Sequence, residues 1–216
     1  MLAASGSADV VLPTRSFGAM NYISSSSTTI TGPSISIGTA SATRRVVLAL
    51  TYYSPLAVPA VTIGGVAAAF CGSQVRSSTT TTMAFYIATV RTGTTAMVSF
   101  TFSGNTYSIN YAWWVVNDLL SNTPTDFAGA TNATTLTAKV DCLAGGVILA
   151  FYTTGYGVSP STLAWTGVTQ DGVSDYGSQS RMAAAGKIQT TDTSKYTVSC
   201  AFNYGTSNLM LVMSFR

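Results

Sequence analysis

The sequence predicts an all-β protein, folded as an antiparallel two-sheet sandwich of the jelly-roll or lectin-like kind. Charged residues make up only 8% of the 216-residue chain. Glu is absent and Lys is scarce, although both usually cover helix surfaces. Thr, Val, Tyr and Phe, which favour strands, are abundant. Short stretches of alternating apolar and polar residues are separated by Gly, Pro, Asn and Ser turns, with no helical period.

An internal duplication is predicted by the order of these stretches. Residues 28–118 and 134–216 run through the same series of elements at a spacing of about 100 residues. "TTITGPSISI" corresponds to "TTLTAKVDCL", "VVLALTYYS" to "VILAFYTTG", and "VSFTF" at 98–102 to "VSCAF" at 198–202. Similar elements in the same order in both halves favour a repeated unit over chance.

The duplication divides the chain into three parts. Residues 1–25 lie outside it and are expected to form an N-terminal arm or an extra edge strand. Residues 26–120 form the first half of the sandwich and residues 121–216 the second. The halves fold either as tandem sandwiches or as one interleaved sandwich; the short link between them favours one compact unit.

Alternation along the strands assigns side chains to faces. Val98, Phe100 and Phe102 fall on one side of their strand, which predicts that they face the core. All three cysteines are interpreted as core residues rather than reactive thiols: Cys71, Cys142 and Cys200. Two consecutive tryptophans, residues 113 and 114, must face opposite ways, so one is expected in the core and the other on an outer face, against another subunit.

Composition excludes several classes of function. Without His there is no Ser-His-Asp or Cys-His arrangement and no imidazole metal site. No cofactor and no metal are expected, and Gly64 and Gly65 predict a hairpin turn rather than a phosphate-binding loop. The net charge of +3 is scattered along the chain, so no nucleic-acid partner is expected. We also predict neither a signal peptide nor membrane insertion, and synthesis in a host cytoplasm.

Two kinds of ligand chemistry remain as candidates. Asp171 and Asp175 in "TQDGVSDYG" are the best carboxylate pair for a glycan hydrolase, although such residues usually form turns. Aromatic residues near Gly-rich loops predict a glycan-binding site that also includes these two carboxylates. Its aromatic members are Tyr152, Tyr156, Trp165 and Tyr176. The alternative is that Trp165 packs in the core and the tyrosines cap the edge of the sandwich.

The chain resembles a family of β-sandwich proteins encoded among the virion structural genes of tailed bacteriophages. The likeness is carried by "PAVTIGGVAAAF", "VRTGTTAMVSFTFSG", "WWVVNDLLSNTPTD", "AGGVILAFYTTG" and "LAWTGVTQD", and extends from residue 46 to the C-terminus. It implies a role in head decoration, as a head fibre or spike, or in tail-associated adhesion. It transfers no catalytic residues.

The resemblance and the composition together predict a non-enzymatic structural component of a phage virion surface. Its expected partners are further copies of itself, other virion proteins and a host surface glycan. The alternative is a carbohydrate-binding module or adhesin, and the third hypothesis is a hydrolase that uses Asp171 and Asp175.

Overall fold

The computed structural model of the protein describes residues 11–53, 57–76, 81–154, 162–176, 180–203 and 207–216. These residues form fifteen strands, and every recorded strand pair is antiparallel. The described part of the chain contains no helix, and therefore no helix that is long and apolar enough to cross a membrane. The predicted all-β antiparallel sandwich is confirmed.

The strands fall into two series along the chain. The first series is β1 (Thr14–Ser36), β2 (Arg45–Tyr53), β3 (Ala60–Ile63), β4 (Val66–Ala67), β5 (Ala69–Arg76), β6 (Thr81–Thr89) and β7 (Thr95–Asn117). The second series is β8 (Asp126–Thr131), β9 (Thr135–Cys142), β10 (Gly146–Thr154), β11 (Leu163–Thr166), β12 (Thr169–Tyr176), β13 (Ser180–Gln189), β14 (Thr193–Phe202) and β15 (Asn208–Phe215). All recorded pairs join strands of the same series.

Both series pair their strands in the same pattern. In the first, β5, β6, β2 and the second part of β7 lie side by side, and β1 flanks β7. In the second, the order is β12-β13-β10-β15-β8. The first part of β7 lies between β3 and β1, as β14 lies between β11 and β9. The internal duplication itself stays a prediction. The matching strand order of the two series is consistent with the sequence pattern that suggested it.

Three hydrophobic cores separate these strands into four layers. The first core fills the sandwich of the first series, the second core fills that of the second series, and the central core lies between the two five-stranded layers. Representative members are Leu48, Tyr86 and Phe100 in the first core, Val47, Phe85, Leu149 and Leu211 in the central core, and Leu136, Ile148 and Val212 in the second core. The two series are thus tandem sandwiches that share a core, which explains why β10 and β15 are buried along their whole length.

Two contacts between phenylalanine and glycine mark opposite edges of the central core. Phe17 on β1 lies over Gly172 on β12, so that a Cβ on Gly172 would be 2.7 Å from its ring. Phe127 on β8 lies over Gly72 on β5, where the corresponding distance is 3.1 Å. Because the first strand of each series covers a glycine of the other, the two sandwiches face each other with reciprocal contacts.

Residues 14–25 are part of a long strand rather than an arm. β1 runs without interruption from Thr14 to Ser36, across the predicted boundary at residue 25, and pairs with β7 along its length. Its first part belongs to the five-stranded layer and its last part to the outer layer. Residues 14–25 are therefore an edge strand of the first sandwich.

Several predicted orientations are confirmed, and one is wrong. Val98, Phe100 and Phe102 are buried, as are all three cysteines. Gly64 and Gly65 form the turn between β3 and β4, and both have positive φ angles. Trp113 and Trp114 do face opposite sides. However, neither lies on an outer face, because Trp113 packs in the first core and Trp114 in the central core.

Candidate functional site

Tyr152 is a core residue, which corrects its prediction as a glycan-stacking residue. Its side chain has no exposed surface, and its ring lies 5.2 Å from that of Phe202. The hydroxyl donates a hydrogen bond to Asn208 Oδ1 at 3.1 Å, and burial raises the pKa of the phenol. A ring enclosed on all sides cannot stack on a sugar.

Of the other predicted aromatic residues, Trp165 is the one whose side chain the structure describes. Trp165 on β11 is half-buried and packs against the second core, as the alternative interpretation predicted. Tyr156 lies outside the described residues. Tyr176 is the last residue of β12. Glycan binding at this group of residues stays a prediction.

Asp171 is largely buried at the joint between the two sandwiches. Its Oδ2 accepts hydrogen bonds from Arg15 Nη1 on β1 and, at 2.8 Å, from Trp114 Nε1 on β7. The Arg15 Nη2 also donates to the carbonyl oxygen of Gly186 at 3.2 Å. With side-chain exposures of 14% for Arg15 and 9% for Asp171, this ion pair connects the first series to the second in a place that water hardly reaches.

Asp175 has a different partner on the neighbouring strand. Its two carboxylate oxygens accept bonds of 2.6 and 2.7 Å from Arg181 on β13, which raises the pKa of that guanidinium. The side chain of Asp175 is 45% exposed. The two carboxylates predicted to act as an acid and base therefore bind different arginines, one inside the joint and one at the surface.

The thiols are held in their neutral form. Burial raises the pKa of Cys71 and Cys200 to about 12 and that of Cys142 to about 11. A thiolate is the reactive species, so these positions disfavour nucleophilic chemistry. Within the described ranges, no group of three or more acidic or cysteine side chains is placed to hold a metal ion.

A shallow cleft at one end of the first sandwich is a candidate site. It has a volume of about 450 Å³ and lies between the start of β1, the loop 37–44 and the end of β7. Seven of its eleven lining residues are polar, and the other four are Ile37, Gly38, Ala40 and Val115. The polar lining residues are Thr14, Ser16, Thr39, Ser41, Thr43, Asn117 and Asp118.

A buried arginine organises the loop that forms one wall of this cleft. Arg44 has no exposed surface. Its five N–H donors lie within hydrogen-bonding distance of six carbonyl oxygens, in the loop before β2 and in the β6–β7 turn. The acceptors are Val90 (2.6 Å), Ile37 (3.2 Å), Gly38 (2.8 Å), Thr39 (2.8 Å), Thr92 (2.6 Å) and Gly93 (2.9 Å).

The opposite wall is formed by the end of β7. Asn117 Nδ2 donates to Thr14 Oγ1 at 3.2 Å, which connects this wall to β1. Asp118 has a φ of 65°, a conformation that non-glycine residues seldom adopt. Burial, and then the charge of Arg91, lower the pKa of the Arg45 guanidinium, and the nearby Asp118 carboxylate offsets part of this. The wall thus places a carboxylate beside several hydroxyl groups.

Sequence reasoning missed this cleft. Its residues come from three separate stretches, and each stretch alone resembles an ordinary Ser/Thr-rich turn. The available signals were the paired Asn117-Asp118 after a long apolar strand and the adjacent Arg44-Arg45 before another. Neither signal predicts that the two stretches meet.

Comparisons with known proteins leave the chain without an assigned family. No protein-family model matches it, and no curated protein sequence matches it. Two solved structures of Bacillus subtilis oxalate decarboxylase, one a tryptophan-to-tyrosine variant and one determined at pH 4.6, align with 96% of this chain and with 75% and 74% of their own. Their identities of 7% and 8% and TM-scores of 0.19 and 0.18 carry no argument about fold or function.

Proposed function

We propose that the chain is a non-enzymatic structural component of a phage virion surface, serving as a head decoration protein, a head fibre or spike, or a tail-associated protein. The observation that carries this proposal is the contrast between buried and exposed chemistry. Asp171 and the cysteines are enclosed in internal contacts, whereas both outer layers present rows of hydroxyl groups with few charges among them, such as the exposed Lys139 on β9.

The two outer layers carry matching rows of these groups. On the first, Thr31 and Thr62 lie on either side of Ser99. On the second, Thr137 and Thr166 lie on either side of Ser199. A surface with so few charges causes little electrostatic repulsion between neighbouring copies, which suits a protein that packs densely on a particle.

An exposed edge of the first sandwich offers a surface for assembly. Phe70 and Val75 on β5 are 49% and 51% exposed. β5 is the last strand of its layer and, among the described strands, pairs with β6 alone. Apolar side chains on a strand edge favour pairing with another chain, so we propose that copies of this protein associate through β5.

The virion role is tested by the protein composition of purified particles. Phage particles produced by a host that expresses the gene are expected to contain this chain, as measured by quantitative mass spectrometry. Its absence from purified particles, while it is present in the lysate, would refute the proposal.

Self-association is tested separately in solution. Light scattering after size exclusion is expected to give a mass above that of one chain, and Val75→Lys should lower it because a charge on the edge opposes strand pairing. Val173→Lys is the matched control, since Val173 is 46% exposed on the edge strand β12 of the other sandwich. A monomeric wild-type protein, or equal effects of the two variants, would contradict assembly through β5.

A further inference from the structure

We propose that the shallow cleft of the first sandwich binds a neutral polyhydroxyl ligand, one or two saccharide units in size. This inference is independent of the proposed structural role and concerns residues other than the predicted aromatic group. It rests on the size of the cleft, the chemistry of its lining and the rigidity of its walls.

The volume of the cleft suits a small ligand. Small-molecule sites commonly enclose about 300–1,000 Å³, and this cleft, at about 450 Å³, is in the lower part of that range. Three separate segments of the chain contribute to it, so a ligand would contact β1, the loop 37–44 and the end of β7 together.

The lining favours hydroxyl groups over other ligand chemistry. Five Ser and Thr residues line it, and a hydroxyl both donates and accepts hydrogen bonds, as sugar hydroxyls do. The Thr14 hydroxyl already accepts a bond from Asn117, and those of Ser41 and Thr43 bind each other, so each of these three has part of its hydrogen-bonding capacity left for a ligand. The Asp118 carboxylate accepts charge-assisted hydrogen bonds from a ligand hydroxyl and repels an anionic ligand. A cationic ligand would need carbonyl oxygens as partners. The carbonyl oxygens of residues 37–39, which border the cleft, already accept hydrogen bonds from the Arg44 guanidinium. An apolar ligand would leave most of the lining without partners.

The walls of the cleft are held in place before any ligand arrives. Arg44 fixes the loop through its carbonyl oxygens, and Thr14 holds the Asn117 amide. Asn117 Oδ1 is buried without a hydrogen-bond partner in the described structure, and the φ of 65° at Asp118 lies in the left-handed region, which Asp adopts more readily than most residues. A preformed site loses less entropy on binding.

The test uses the full-length protein and defined sugars as probes. Saturation-transfer NMR is recorded with methyl α-D-glucopyranoside, methyl β-D-galactopyranoside and N-acetylglucosamine, and affinity for any binder is measured by titration. N-acetylneuraminic acid serves as the anionic comparison. We expect at least one neutral sugar to bind and the acid to bind more weakly.

Two variants assign the binding to the cleft. Asp118→Asn keeps the shape of the side chain and tolerates the positive φ, but removes the charge; it should weaken binding about tenfold. Thr39→Val removes one hydroxyl from the loop and should weaken binding severalfold. The matched controls are Asp192→Asn, at the corresponding end of the second sandwich, and Thr29→Val, on the outer layer.

Each outcome is decisive. Weaker binding in the two cleft variants with unchanged affinity in both controls supports the proposal. Failure of every neutral sugar to bind, stronger binding of the acid, or full affinity in both cleft variants overturns it. None of these results bears on the composition of particles, so the structural proposal stands or fails separately.

Discussion

Replacement of Arg44 by Ala should cost about 4 kcal/mol of folding free energy, because six carbonyl oxygens lose their donor. Of these, the acceptors on Val90 and Ile37 are fully enclosed, whereas the other four lie in partly buried positions. A buried acceptor without a partner costs roughly 1–3 kcal/mol, so two such groups account for about 2–6 kcal/mol. Because the remaining four are only partly buried, water can replace most of their bonds.

Two further variants make this reasoning specific. Arg44→Lys retains a charge, but one ammonium group cannot reach acceptors in both loops, so we expect a loss of about half that of Arg44→Ala. Arg91→Ala is the control, because Arg91 is exposed and donates a single bond of 3.1 Å to the Ala42 carbonyl. Its loss should be about 0.5 kcal/mol or less.

Urea unfolding followed by tryptophan fluorescence measures these differences, since unfolding exposes the buried Trp113 and Trp114. An unchanged slope with a lower midpoint indicates lost stability rather than a changed unfolded state. The free energy of unfolding of Arg44→Ala could stay within about 1 kcal/mol of the wild-type value, or that of Arg44→Lys could equal it. Either result would show that the carbonyl oxygens do not depend on Arg44 for their hydrogen bonds.

Two other predictions concern the candidate catalytic groups. Asp171→Asn should lower the free energy of unfolding by about 3 kcal/mol, because Arg15 is left nearly buried without a counter-charge. Asp175→Asn breaks the more exposed ion pair with Arg181 and should lower it by about 0.5 kcal/mol. Equal losses in the two variants would contradict the assignment of Asp171 to the joint. The thiols should resist a disulfide reagent at neutral pH until the protein unfolds. The pKa values of the thiols in the folded protein lie above the ordinary value of 9.0. Their burial therefore contributes its full share to the free energy of unfolding below about pH 9, and this share is lost as the pH rises towards about 12. Urea titrations at alkaline pH measure the loss. Labelling of the native thiols, or stability that rises over this range, would contradict their burial. The three residues are Cys71, Cys142 and Cys200.

Local alternation was sufficient to predict the faces of individual strands. Val98, Phe100 and Phe102 repeat with a period of two, and this period has only one solution when one side of a strand meets a core. The same reasoning placed Cys200 inward, and it is fully buried. The fold class was therefore predictable from patterns that extend over a few residues.

The central core was not predictable from such patterns. Continuous apolar runs in β10 and β15 indicate burial on both faces, but they do not indicate what lies on the second face. The same holds for β7: its face that carries Trp114 is covered by strands of the other series. The predicted outer position of one tryptophan failed for this reason, since the covering partner is distant in sequence.

The candidate site shows the same limit for polar residues. Asp171 binds Arg15, 156 positions away, and no local spacing reveals a partner at that separation. A turn-like "DG" pair therefore suggested exposure where the fold places an enclosed carboxylate. Tyr152 misled in a similar way, because a tyrosine beside a Gly-rich loop has the same local context whether its ring is inside or outside.

The two sandwiches differ in the loop that forms one wall of the cleft. Eight residues, 37–44, connect β1 to β2, whereas three residues, 143–145, connect β9 to β10 in the second series. The short connection is closed by Asp192, which accepts a bond of 2.7 Å from the Ala144 amide. The long one needs an internal support, supplied by Arg44, and it forms the wall of the cleft. Because extra loop length on a rigid scaffold is where binding residues commonly occur, this difference between the sandwiches supports the proposed binding site.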